Sequence, residues 1–96
     1  MLKLKINNSL EGIFYFDKET IMLHREDGPA AEYSNGDKAW YIHGKRHRVD
    51  GPAQIFGDGK LKWWLNDILL TKEIWFEKLS KAQKEKMFYS EYFIGG

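Results

Sequence analysis

Apolar and polar residues alternate from the first positions of the chain: Leu2, Leu4 and Ile6 against Lys3, Lys5 and Asn7. A period of two predicts a strand with one apolar and one wet face. Asn7-Asn8-Ser9 is a turn signal, and Gly12-Ile13-Phe14-Tyr15-Phe16 predicts a second strand. Asp17-Lys18-Glu19 reads as the next turn and Thr20-Ile21-Met22-Leu23 as a third strand. Further on, Ala30 to Ser34 and Asp37 to Ile42 predict a hairpin about Asn35-Gly36, read as a two-residue turn with positive φ at both residues. From Thr71 the period lengthens to about 3.6 residues. Thr71 is placed to cap a short helix carrying Ile74, Trp75 and Leu79. Ser80-Lys81-Ala82-Gln83 has the spacing of a capping box and predicts a second helix, with Ala82, Met87, Tyr89, Tyr92 and Phe93 on its apolar side.

Between these ends the chain repeats itself. His24-Arg25-Glu26-Asp27-Gly28-Pro29-Ala30 returns 23 residues later as His47-Arg48-Val49-Asp50-Gly51-Pro52-Ala53. The offset continues through Tyr33 and Phe56, Gly36 and Gly59, Trp40 and Trp63, Tyr41 and Trp64, and Ile42 and Leu65. Asn35-Gly36 becomes Asp58-Gly59, which keeps the turn chemistry. A fixed period of this size is the mark of a repeat architecture. The same shift applied backwards puts the Trp40 position on Asp17, a poor match. Residues 1–22 are therefore read as N-terminal strands or a cap, 23–70 as two tandem hairpin repeats, and 71–96 as a helical tail, all in one domain. The fold class expected is mainly β (α+β): an antiparallel meander of stacked hairpins with one or two short C-terminal helices lying as a lid on its open face or edge. Trp40 and Ile42, matched by Trp63 and Leu65, are assigned to the core face. Tyr41 and Trp64 fall on the other face, expected to be the wetter one because Lys60 and Lys62 share it.

The repeat unit, His24 to Ala30 followed by Gly36, Trp40-Tyr41 and Gly44-Lys45, resembles the MORN-like repeat variants. In particular it resembles the small His-Arg-x-Asp-Gly-Pro-Ala repeat proteins of bacteriophages and large DNA viruses. The resemblance spans Leu23–Leu70. It implies a stacked β-hairpin fold and a viral origin, and it brings no catalytic residue. Related repeats are linked to lipid or protein binding and some to antitoxin roles. The second copy departs from the pattern where Asn66-Asp67-Ile68 replaces His43-Gly44-Lys45, and the array is expected to stop there.

Composition narrows the function. The net charge is +1 and acidic and basic residues nearly balance within each of residues 1–20, 21–70 and 71–96, so a nucleic-acid or acidic-membrane role has to rest on a local patch. There is no cysteine, which excludes disulfides, thiol catalysis and thiolate-bound zinc. The alternating start is not a secretory leader and no apolar run reaches membrane-spanning length. A cytoplasmic protein is expected, in the host cytoplasm if phage-encoded.

Four sets of residues are candidates for chemistry. His24/Arg25/Asp27 and His47/Arg48/Asp50 have the side chains for acid–base or phosphate chemistry. Their recurrence at the stacking period favours a brace in each repeat, with Asp accepting turn N–H groups and Arg pairing with Asp in a planar contact. A nuclease or nucleotide-handling enzyme using His47 and Asp50 is the enzymatic reading, and it is not favoured. His24, His43 and His47 lack the spacing and carboxylates of a metal site, so no metal or other cofactor is expected. The basic run Lys45-Arg46-His47-Arg48, with Lys60, Lys62 and Trp64, carries the alternative reading of a nucleic-acid binder. Trp75, Phe76, Phe88, Tyr89, Tyr92 and Phe93 are more aromatics than two short helices easily hide, and an exposed patch marks a partner surface. The leading reading is a non-enzymatic protein-binding module, in its most concrete form a phage protein that binds and inhibits or redirects a host factor such as one of defence. Lys45, Arg46, Arg48, Lys60, Lys62, Trp64, Trp75, Tyr89, Tyr92 and Phe93 are the expected contact residues. A homodimer is the intermediate case, and no membrane contact is expected.

Overall fold

Nine strands and two short helices follow one another along the chain in a computed structural model that describes residues 2–6, by their backbone pairing, and 11–92. The Asn7-Asn8-Ser9 turn and Phe93 lie outside the described residues. The strands are β1 (Leu2–Ile6), β2 (Gly12–Phe16), β3 (Ala31–Tyr33), β4 (Lys38–Ala39), β5 (Tyr41–Ile42), β6 (Lys45–Arg46), β7 (Gln54–Ile55), β8 (Leu61–Leu65) and β9 (Ile68–Leu70). The helices are α1 (Lys72–Glu77) and α2 (Lys81–Met87). Seven strands form one sheet in the order β1-β2-β3-β4-β7-β8-β9, and β5 pairs with β6 beside it. Every strand pairing among the described residues is antiparallel.

Three hairpins, β1–β2, β3–β4 and β7–β8, join at two seams that share one register. Phe14 lies opposite Ala31 where β2 meets β3, and Ala39 lies opposite Gln54 where β4 meets β7. At both seams the next N–H reaches across: Tyr15 donates to the Ala30 carbonyl and Trp40 to the Ala53 carbonyl, each at 2.8 Å. Ala30 and Ala53 are both 0% exposed, so the backbones approach too closely there for a larger side chain. Tyr15, not Asp17, is thus the counterpart of Trp40. The loop after β2, residues 18–21, is closed by Asp17 N–H to Met22 O at 2.9 Å and is two residues longer than its counterpart His43-Gly44. That insertion moves the first hairpin out of the 23-residue phase.

The turns correct two expectations. Only Gly36 has positive φ in the Asn35-Gly36 turn (φ 96°), and Tyr33 N–H bonds to Asp37 O at 2.9 Å. The loop therefore holds three residues, a tight turn followed by a glycine in the left-handed region, and Gly59 (φ 94°) repeats it. The two-residue turns with both φ positive are instead His43-Gly44 (48° and 79°) and Asn66-Asp67 (47° and 67°). Replacing His-Gly by Asn-Asp thus preserves the turn, and the pattern ends after β9. The expected strand over 20–23 is reduced to a single bridge, Phe16 to Leu23, because Ile21 turns the chain at φ 58°.

Both helices begin as their caps dictate. The Thr71 hydroxyl accepts the Ile74 N–H at 3.2 Å. Ser80 and Gln83 exchange both bonds of a capping box, at 2.8 and 3.2 Å. α1 and α2 pack on β8, where Trp63, Trp75, Leu79 and Met87 form the larger core cluster. The smaller cluster is Phe14, Ala31 and Ala39, flanked by Phe16, Leu23, Tyr33 and Tyr41. None of the helices in the described residues is long and apolar enough to cross a membrane.

Candidate functional site

The heptapeptide builds the same brace twice. Arg25 donates from Nε to Asp27 at 3.0 Å and from Nη1 to the Pro29 carbonyl at 3.1 Å. Arg48 does the same to Asp50 at 2.9 Å and to Pro52 at 3.0 Å. Each guanidinium also lies over an aromatic ring of the return strand before it, Arg25 over Tyr15 at 4.0 Å and Arg48 over Trp40 at 3.9 Å. A planar, five-donor group is suited to bridging a carboxylate and a carbonyl while stacking on a ring. The expected two-bond contact between Arg and Asp is therefore divided: one bond goes to the carboxylate and one to the loop backbone. Asp27 and Asp50 take the guanidinium instead of turn N–H groups, and their side chains stay largely exposed.

The histidines hold one hairpin to the next. His24 Nδ1 accepts the His43 N–H at 2.9 Å, and His47 Nδ1 accepts the Asn66 N–H at 3.0 Å. The two-residue turns are thereby pinned at their first left-handed residue. His24 also stacks on His43, with ring centroids 4.3 Å apart. An Nδ1 that accepts carries no proton, so the proton of each neutral ring sits on Nε2. Burial holds the His47 pKa below its ordinary 6.5. A depressed folded value means that the neutral ring contributes stability in full above about pH 6.5, and that this contribution is lost as the pH falls through the lowered folded value. Denaturant melts from pH 8 downwards are expected to show stability declining below about 6.5. His47→Asn keeps an acceptor near the Nδ1 position without a titrating ring, and it should flatten that decline. An unchanged decline in the variant would show that another group is responsible.

A cleft of about 520 Å³ runs between the two heptapeptides and α2, lined by Asp27, Trp40, His47, Arg48, Asp50 and Lys86 among others. Its two arginines are already neutralised by Asp27 and Asp50. The cleft therefore offers no concentrated charge to a polyanion.

The expected contact residues separate into three groups. Lys45, Lys60 and Lys62 are exposed, and Tyr89 is 85% exposed. Arg46, Arg48 and Tyr92 are half-buried and engaged: Arg46 with Asp67 at 2.7 Å and on the Trp64 ring at 3.7 Å, and Tyr92 against Trp63 at 5.8 Å. Arg46 holds the Asp67 carboxyl below its usual range, mainly through the side-chain bond and then through its backbone N–H. Trp64 and Trp75 are buried, which corrects their assignment to a surface. Trp64 is lidded by Arg46 and donates to Gln54 at 2.7 Å, so its face is not the wet one. Trp75 is 0% exposed, packs on Trp63 at 4.6 Å and donates to the Arg48 carbonyl at 2.8 Å. Trp40, expected in the core with Trp63, is half-buried under Arg48 instead.

Exposed apolar side chains also lie outside the expected contact set, and of these Phe88 alone was counted among the surplus aromatics. Ile68 and Leu69 on β9 are 61% and 51% exposed, Ile74 on α1 is 49%, and Phe88 after α2 is 60%. Their signal was a strand and helix too apolar for the surface they cover. Among the described residues no group of three or more His, Asp or Glu side chains is placed to hold a metal ion. No family model, no curated protein and no solved structure matches this chain.

Proposed function

We propose that the protein is a non-enzymatic protein-binding module: a short array of stacked hairpins, MORN-like in its repeat, whose C-terminal end presents a partner surface. One observation carries this reading. Residues 68–89 leave Ile68, Leu69, Ile74, Phe88 and Tyr89 between 49% and 85% exposed, although the same segment buries Trp75 completely. An exposed apolar patch on a small domain marks an interaction surface where its residues are contiguous. The reading of a phage protein that binds and redirects a host factor rests on the heptapeptide resemblance. The alternative, a nucleic-acid binder using residues 45–48, is weakened by the engagement of Arg46 and Arg48 with Asp67 and Asp50.

The test is affinity capture from host lysate at native salt, comparing the natural chain with Phe88→Ser/Tyr89→Ser. A stoichiometric protein partner lost in the double variant is expected. The variant should keep its stability within about 0.5 kcal/mol, as exposed positions do. Capture of nucleic acid in place of protein, or no stoichiometric partner, would defeat the reading.

A further inference from the structure

The seams between hairpins show what the last hairpin lacks. The outer edge of β2 receives β3, and the outer edge of β4 receives β7. β8 is the third return strand. On its outer edge β9 pairs with Trp63, Trp64 and Leu65, but among the described residues no strand pairs there with Leu61 or Lys62. Lys62 is exposed, whereas its counterpart Ala39 is 4% exposed beside β7. The turn glycines agree: a Cβ on Gly36 would lie 3.5 Å from Gly57 of the next hairpin, and one on Gly59 would meet nothing within 4 Å.

The seam residues change in kind at this edge. Inside the array, the Asp37 carboxylate accepts the Gly57 N–H of the following hairpin at 2.7 Å. Its counterpart in the last hairpin is Lys60, and Ala39 is replaced by Lys62. Both lysines are exposed: among the described residues Lys60 meets Asp58 at 3.9 Å, its side chain remaining 80% exposed, and Lys62 lies 5.6 Å from the Phe56 ring. Lysines on an edge repel a strand that is neutral or basic. They attract one that carries carboxylates at alternate positions, because residues two apart on a strand share a face.

We propose that the open edge of β8 at Lys60–Lys62 receives an extended acidic segment of a partner protein as an added antiparallel strand. This rests on the protein-binding reading above and names the chemistry of the partner. The register of the inner seams fixes the pattern. A residue opposite Lys62 and one opposite Lys60 are acidic, and the residue between them, opposite Leu61, is apolar. The backbone supplies strand hydrogen bonds and the alternate side chains supply selectivity. A second copy of this chain is a poor occupant. β1, the strand that would take this place in a head-to-tail stack, carries Lys3 and Lys5 in alternation.

The experiment is a fluorescence-anisotropy titration, at low salt, of labelled peptides of about seven residues, a common strand length, into the full chain. The probes are an acidic–apolar–acidic peptide, its scramble with the acids adjacent, and a lysine–apolar–lysine counterpart. Saturable binding of the first is expected, with the scramble weaker. Lys60→Glu/Lys62→Glu should weaken the acidic peptide roughly tenfold or more, as two exposed attractions become repulsions, and should transfer preference to the lysine peptide. Amide exchange at Leu61 should slow in the peptide complex. No saturable binding, equal binding of the scramble, or indifference to the charge reversal would overturn the proposal, as would self-association of the chain through this edge. If a captured protein partner binds the charge-reversed chain undiminished, the edge assignment fails while the binding-module reading stands. If lysate yields no partner, that reading fails and the peptide titration still decides the edge.

Discussion

Trp75→Ala is expected to cost about 3–5 kcal/mol of folding stability, the range for deleting a large aromatic from a packed core. Trp75 is fully buried, packs against Trp63 at a tilt of 55° and joins Leu79 and Met87 in the larger cluster. Its Nε1 also satisfies the Arg48 carbonyl, which would be left without that donor. Domains of this size hold roughly 5–15 kcal/mol in total, so the variant should be marginally folded, with its helices detached first. Circular dichroism during urea unfolding is the measurement. Trp75→Phe keeps a ring and loses the indole bond, and it should retain much of the stability. A loss under about 1 kcal/mol for the alanine variant would mean that α1 and α2 do not seal β8.

Arg48→Ala should be the second most damaging change, at about 2–4 kcal/mol. It removes a charge-assisted bond, uncovers the Pro52 carbonyl and strips the guanidinium from Trp40. Arg48→Lys should rescue little, because a point charge on a flexible stem cannot bridge Asp50 and Pro52 while covering an indole. Arg25→Ala should cost less: that side chain is 21% exposed against 15% for Arg48, and Arg48 has a second ring, Tyr92, at 5.8 Å. Asp50→Asn should cost under about 1 kcal/mol, since the carboxylate is 74% exposed. Thermal melts of the four variants rank them. A large loss from Asp50→Asn with little from Arg48→Ala would reverse the brace as described.

The parts of this fold legible in the sequence are those set by local chemistry. Thr71 and the Ser80–Gln83 box act within one helical turn, so the residues alone locate both helix starts. The heptapeptide could be recognised as a scaffold because an arginine brace is needed at each of two seams. The first hairpin was hidden by an insertion of two residues in the loop after Asp17, which shifts phase without altering the seam. Turn type was misread at Asn35-Gly36 because loop length, not the residue pair, decides whether one or two residues adopt positive φ. Strand alternation put Trp64 on the wet face, and it could not anticipate that Arg46, held by Asp67, would cover the ring. The aromatic surplus of the tail was visible, but its division between buried Trp75 and exposed Tyr89 depends on tertiary packing.

Residue-resolved amide hydrogen exchange tests most directly that three hairpins join at two equivalent seams and that the outer edge of the third is left open. Tyr15 and Trp40, which donate to Ala30 and Ala53, should both be strongly protected. Lys38 lies two residues from Trp40 on the edge facing β7 and should be protected with them. Leu61, its counterpart on the open edge of β8, should exchange freely. Fast exchange at Tyr15 beside slow exchange at Trp40 would remove the first hairpin from the array, and strong protection at Leu61 in the isolated chain would show that its edge is already filled.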